Sequence, residues 1–132
     1  MILGSGNVVH NLGRVDFRRL DEGEDWAHRF DDSARRLMTT EPGDVLRLSG
    51  HSDFRLAAPT PDHFVPLVYL AGVAAVAGRL PEVLVDGYVA GSLSMTSYVL
   101  DGPVLPVLSD LGGASAADVP PVDVVPPEDT NI

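Results

Sequence analysis

Six of the eleven prolines fall within the last 32 residues, at Pro103, Pro106, Pro120, Pro121, Pro126 and Pro127. The same stretch carries six acids and no base, a net charge of −6, whereas residues 1–100 set 13 acids against nine Arg. Pro-Pro pairs fix φ and remove backbone donors, so such a segment favours extended, solvated chain. Together with the small-residue run Gly112-Gly113-Ala114-Ser115-Ala116-Ala117, this predicts disorder from about Leu111 to Ile132. Two Pro-Pro pairs are too few to specify a ligand for a proline-binding module. The expected organisation is one folded domain over 1–100 and an acidic, proline-rich tail over 101–132.

The formal charge of −10, with no Lys at all, argues against a nucleic-acid partner, because phosphate contacts need a surplus of Arg and Lys. No apolar run reaches the roughly 20 residues of a membrane span. Met1-Ile2-Leu3-Gly4-Ser5-Gly6 lacks a basic leader, so no signal peptide is expected and the default location is cytoplasmic. The absence of cysteine removes disulfides, zinc thiolate sites and thiol nucleophiles together.

Strands and helices alternate along the first hundred residues. Met1 to Gly4 reads as a buried strand ending in a Gly-Ser-Gly turn. Gly13 to Gly23 is charged and irregular. From Glu24 to Thr39, Trp26, Phe30, Ala34 and Leu37 are spaced to form one apolar helical stripe. Pro42-Gly43 ends it. Asp44 to Leu48 fits either a helical turn or a strand. A second helix is expected from Thr60 as N-cap, with Pro61 at its first position, to Ala77, closed by Gly78. Its inner side would carry Phe64, Leu67, Val68, Ala71, Ala75 and Val76, and Pro66 would tighten or kink its first turns. Glu82 to Val85 and Leu93 to Leu100 read as strands, the second apolar on both faces.

With cysteine absent, the four histidines are the natural candidates for chemistry. His28 lies off the apolar stripe and His51 in a polar loop; both are expected in solvent, without a role. His10 follows the first strand and its glycine turn, where open α/β sheets place their sites. A His that merely satisfies loop backbone groups is the competing reading. His63 falls at the start of the second helix, where the helix dipole disfavours the imidazolium. A neutral imidazole keeps the lone pair that a metal ligand requires; a capping role is the alternative. The Gly4-Ser5-Gly6 turn is no dinucleotide loop, because the third glycine position is Val9. Ser5 as a nucleophile with His10 as base lacks the glycine pattern of a nucleophile elbow.

Three segments, taken in order, resemble the class III extradiol ring-cleaving dioxygenases, and within them the branch of the DOPA 4,5-dioxygenases. They are Gly4-Ser5-Gly6-Asn7-Val8-Val9-His10-Asn11-Leu12, Pro59-Thr60-Pro61-Asp62-His63-Phe64-Val65-Pro66-Leu67 and Gly91-Ser92-Leu93-Ser94-Met95. The first two are the more specific, and the resemblance covers about Met1 to Val99. It implies an α/β fold with a central mixed sheet flanked by helices, of which this chain supplies about the C-terminal half. It implies extradiol cleavage of a catechol-type aromatic by dioxygen at a non-haem Fe(II), with zinc in its place in some purified proteins.

His63 then matches a metal ligand, and His10 the residue that takes or gives a proton during ring opening. These roles suit an open imidazole–carboxylate site and a group that titrates near neutrality. The family's other ligand histidines belong to an N-terminal half. His10, His63 and an acid such as Asp62 would make a poor site by themselves, so activity of the isolated chain is not expected. The expected partners are a catechol and either a second copy or a missing N-terminal half, as in a split enzyme. The alternatives are a non-catalytic binding domain that kept the fold and a truncated reading frame.

Overall fold

The computed structural model describes residues 1–102; the expected tail lies almost wholly outside the described residues. Along these residues run β1 (Ile2–Gly4), α1 (Asp25–Thr40), a 3-10 stretch (Pro42–Gly50), α2 (Phe54–Ala57), α3 (Val65–Ala77), β2 (Glu82–Val85), β3 (Tyr88–Val89), β4 (Leu93–Ser94) and β5 (Ser97–Leu100). No helix among them is long and apolar enough to cross a membrane. The class is α/β.

The apolar stripe of α1 is realised as read. Trp26, Phe30, Ala34, Leu37 and the adjoining Met38 are buried in one core with Val45, Leu48, Leu67, Leu70, Tyr98 and Leu100. Each fully buried side chain of this size contributes about 1.5–3 kcal/mol through apolar area removed from water. The ambiguous Asp44 to Leu48 stretch is helical in the tighter 3-10 form, and inserts Val45 and Leu48 beneath α1.

The sheet differs from expectation. Strand order is β1-β5-β2, and both ladders are antiparallel, with Ile2 opposite Leu100 and Val83 opposite Tyr98. β3 and β4 form a separate antiparallel pair. In place of a mixed central sheet there is a small antiparallel one, with α3 packed against β1 and α1 against β2. The run Leu93 to Leu100 is not one strand, because it breaks at Met95-Thr96. The Met95 N–H bonds the Gly87 carbonyl at 2.9 Å, and the Thr96 hydroxyl turns inward to Asp31 at 2.8 Å. Both bonds divert the backbone from a continuous ladder. Nor is β1 buried: it is an edge strand whose Leu3 is 57% exposed, since its outer side meets no other element among the described residues.

α3 starts at Val65, four residues later than expected. Pro61 begins a single helical turn instead, accepting the N–H groups of Phe64 and Val65. Thr60 is therefore not its cap. Pro66 stands at the second helical position, where its missing N–H costs nothing, so it does not kink the helix. Gly78 closes α3 at φ 62°, as expected. Phe64, Leu67 and Ala71 face the core as read, joined by Leu70 and Ala74, while Ala75 is exposed and Val76 is 93% exposed. A helix apolar on every side offers no periodicity from which to choose its inner face. Gly4 permits the close approach of α3 to β1, because a Cβ there would lie 2.5 Å from Leu70 Cδ2.

Between α1 and the strands sits a buried polar cluster. Asp31 Oδ2 accepts bonds from the hydroxyls of Thr96 at 2.8 Å and Tyr88 at 3.2 Å and from Arg35 at 3.3 Å. Arg35 reaches on to Asp86. Burial, and then the nearby Asp31, pushes both the Tyr88 and Tyr98 hydroxyls well above the ordinary tyrosine range.

Candidate functional site

The segment after β1 is pinned from two sides. The Val9 N–H donates to Ser94 Oγ at 3.1 Å, and the Ser94 N–H returns a bond to the Val9 carbonyl at 3.0 Å. The Asn11 N–H donates to the Ser92 carbonyl, while the Ser92 hydroxyl donates to the Asn11 carbonyl at 2.8 Å. The His10 N–H donates to the Ala57 carbonyl at 2.8 Å, and the Asn11 side chain donates to that of Leu56 at 2.8 Å. Val8 and Val9 are buried beneath. The third sequence segment thus has a physical job: its two serines clamp the backbone that carries His10. Its serines alone gave no sign of this, since the pairing spans more than eighty residues.

His10 is 4% exposed. Its Nδ1 faces the carbonyls of Asn7 at 3.1 Å and Val8 at 3.3 Å, and its Nε2 faces the Thr60 carbonyl at 2.9 Å and hydroxyl at 3.2 Å. The Thr60 hydroxyl donates to Asp62 Oδ2 at 3.0 Å. Thr60 is the site residue that sequence reasoning missed, having been read as a helix cap. No hydrogen bond joins Ser5 to His10 among the described residues, so a Ser5–His10 nucleophile pair has no support.

His63 stands in the turn before α3, exposed, with its ring centroid 4.8 Å from that of His10 and tilted by 45°. It is two residues short of the helix rather than within its first turn. The two histidines singled out from sequence are therefore brought together from positions far apart in the chain. His63 also borders a narrow pocket lined by Gly4, Ser5, Gly6, Leu67, Leu70 and Tyr98. Its volume of about 20 Å³ is little more than one water requires, whereas a benzene ring occupies an engineered cavity of about 150 Å³.

The other two histidines lie elsewhere. His28 is exposed as expected, its ring 4.1 Å from that of Tyr88. His51, expected in solvent, is half-buried: it meets Phe30 edge-on at 5.3 Å, and its Nδ1 accepts the Asp53 N–H at 3.1 Å.

The donor set can be tested against a metal. Among the described residues no three His, Asp or Glu side chains converge on a position that could hold one. Both His10 nitrogens face oxygen atoms, and Asp62 is engaged by Thr60. Among the described residues, His63 is the one imidazole at the site without a hydrogen-bond partner. The described residues do not by themselves fit a metal centre.

An α/β unit with a clamped, buried histidine beside an exposed one defines the site. No family model matches the chain. It is 35% identical over 102 residues to the 4,5-DOPA dioxygenase extradiol of Escherichia coli K12, a match covering 74% of this chain and 37% of that protein. The crystal structure of an uncharacterized protein from Escherichia coli K12 is similar with a TM-score of 0.61 and 34% identity, over 70% of this chain and 39% of that one. These likenesses support a relationship to the class III extradiol dioxygenases. The chain spans less than two-fifths of the length of either relative.

Proposed function

We propose that this chain is part of an oxidoreductase that opens a catechol-type ring by extradiol cleavage, corresponding to about the C-terminal half of the full catalytic fold. The observation that carries the reading is the meeting of His10 and His63, each on a segment that resembles the ring-cleaving family. His63 is the chain's contribution to a ferrous centre, which zinc can occupy in its place, and the remaining ligands come from outside residues 1–102. His10 exchanges its bond to Thr60 for one to a substrate hydroxyl and moves a proton there. A ring wedged between carbonyl oxygens at both nitrogens, one of which accepts its N–H, is held in one orientation for that task. The narrow pocket beside His63 supports the same division, since a ring needs walls that the described residues do not supply. Those walls come from outside residues 1–102, so these residues do not turn over substrate by themselves.

A chimera tests this. The matched segment of the E. coli 4,5-DOPA dioxygenase is replaced by residues 1–102, and oxygen uptake is followed with a catechol and Fe(II). The chimera is expected to consume dioxygen, and His10→Ala to lower the rate about 10²–10⁴-fold, as loss of a general acid–base does. A folded chimera without uptake, or one indifferent to His10→Ala, overturns the reading in favour of a non-catalytic binding domain. Turnover by the isolated chain at the relative's rate overturns its incompleteness.

A further inference from the structure

Away from the histidine pair, α1 and the 3-10 stretch Pro42–Gly50 enclose a second cleft of about 260 Å³. Its base is formed by Leu37 and Leu48, both almost wholly buried, and its rim carries Ser33, Arg36, Arg47, Gly50 and His51, so most of the surface it offers is polar. Ser33, Arg36 and Leu37 share one face of α1 by their three- and four-residue spacing. In a chain with a net charge of −10, a rim with two Arg and a His and no lining acid stands apart.

The donors of this rim are available. Arg36 makes no ion pair among the described residues. Arg47 is paired only with Asp44 at 3.0 Å, and both side chains are largely in water, where such a pair holds weakly and exchanges readily. His51 accepts the Asp53 N–H at Nδ1, which places the proton of its neutral ring on Nε2 as a donor. Ser33 spends its hydroxyl hydrogen on the Arg29 carbonyl at 2.9 Å and takes no part as a donor. A Cβ on Gly50 would meet nothing within 4 Å, so the mouth beside His51 is open.

We propose that this cleft binds a small oxyanion, a phosphate or carboxylate group, held by Arg36, Arg47 and His51. Guanidinium groups recognise the planar edge of phosphate and carboxylate oxygens through paired N–H donors. This site is independent of the ring-cleavage reading, since none of its residues touches His10 or His63.

The test is an NMR titration of the full 132-residue chain with phenyl phosphate, benzoate and inorganic phosphate in parallel. Saturable shifts centred on Ser33, Leu37, Gly50 and His51 are expected with phenyl phosphate, benzoate or inorganic phosphate. Arg36→Gln with Arg47→Gln is expected to weaken binding at least about tenfold, as loss of two charge-assisted contacts does. Arg14→Gln with Arg18→Gln, distant from the cleft, should leave it unchanged. Shifts that never saturate, or that survive the Arg36/Arg47 exchange, overturn the site. Both Arg side chains are on the surface, so the fold is retained in the test.

Discussion

The two long helices of this molecule are bounded in opposite ways. α1 is charged outside and apolar inside, and its inner face is closed by the 3-10 stretch, by α2 and by the strands. α3 carries no charged residue over Val65–Ala77, and its outer face leaves Tyr69 73% exposed, along with Val73 and Val76. Next to it the edge strand β1 presents Met1, Ile2 and Leu3 to solvent. Contiguous apolar surface of this kind is where protein, membrane or ligand contacts form, and an unpaired strand edge is a template for further pairing. Among the described residues, one side of the molecule is finished and the other is left open. The His10–His63 site lies at the root of the unfinished side, since its pocket is lined by Leu67 and Leu70 of α3 and by Gly4 of β1.

The strongest way to break this contrast is to truncate one large side chain on each side. Phe30 is fully buried on α1, with its ring 6.0 Å from that of Phe54. Phe30→Ala is expected to cost about 3–5 kcal/mol, the range for a buried aromatic that leaves a cavity. Val76→Ala on α3 is expected within about 0.5 kcal/mol of wild type, as for an exposed position away from special features. Urea denaturation of both variants checks the pair. A loss at Val76 comparable to that at Phe30 would mean that the outer face of α3 is already covered in the isolated protein.

The same contrast explains how much was legible beforehand. On α1 the spacing of Trp26, Phe30, Ala34 and Leu37 marks one side as inner, because polar residues fill the rest of the turn. On α3 the surrounding positions are apolar too, so Ala75 and Val76 were assigned inward although they point out. The Leu93–Leu100 run looked like one strand because its alternation is regular. Its break depends on where the hydroxyls of Ser94 and Thr96 find partners, at Val9 and Asp31, and no local signal carries that. His10 could be singled out from its position after a glycine turn, and His63 from its place at the start of the expected second helix. The oxygen cage that holds His10 could not, since Thr60 reads locally as a helix cap.

A second, smaller effect separates the polar groups within the finished side. Thr96 donates to Asp31 from a fully buried position, whereas the buried Tyr98 hydroxyl has no partner among the described residues. Thr96→Val removes one donor from an enclosed carboxyl group and is expected to cost about 1–3 kcal/mol. Tyr98→Phe removes a hydroxyl that was desolvated without recompense, and is expected to be neutral or slightly stabilising. Thermal unfolding of the two variants, run side by side, reads the difference. A Tyr98→Phe loss as large as that of Thr96→Val would show that the tyrosine hydroxyl does have a partner, such as a buried water.

The smallest expected effect is electrostatic and again confined to the α1 side. Arg29 holds Asp53 below the usual carboxylate range, and Arg35 does the same for Asp86. These pairs tie α1 to the start of α2 and to the turn after β2, at 2.9 Å and 2.8 Å respectively. A carboxyl group whose folded value lies below its unfolded one, about 3.9 for Asp, stabilises the fold fully above that value. The contribution is lost as pH falls toward the folded value. Stability measured by urea midpoint should therefore decline as pH is lowered through about 4 toward 3. Asp53→Asn with Asp86→Asn should flatten that decline while lowering the midpoint modestly at pH 7, because each pair keeps one partner, Arg29 or Asp86, well exposed to water. An unchanged slope in the double variant would place the acid sensitivity elsewhere than in the links between α1 and its neighbours. α3, with no charged side chain of its own, has nothing along its length to titrate in this window, so acid should loosen the finished side first.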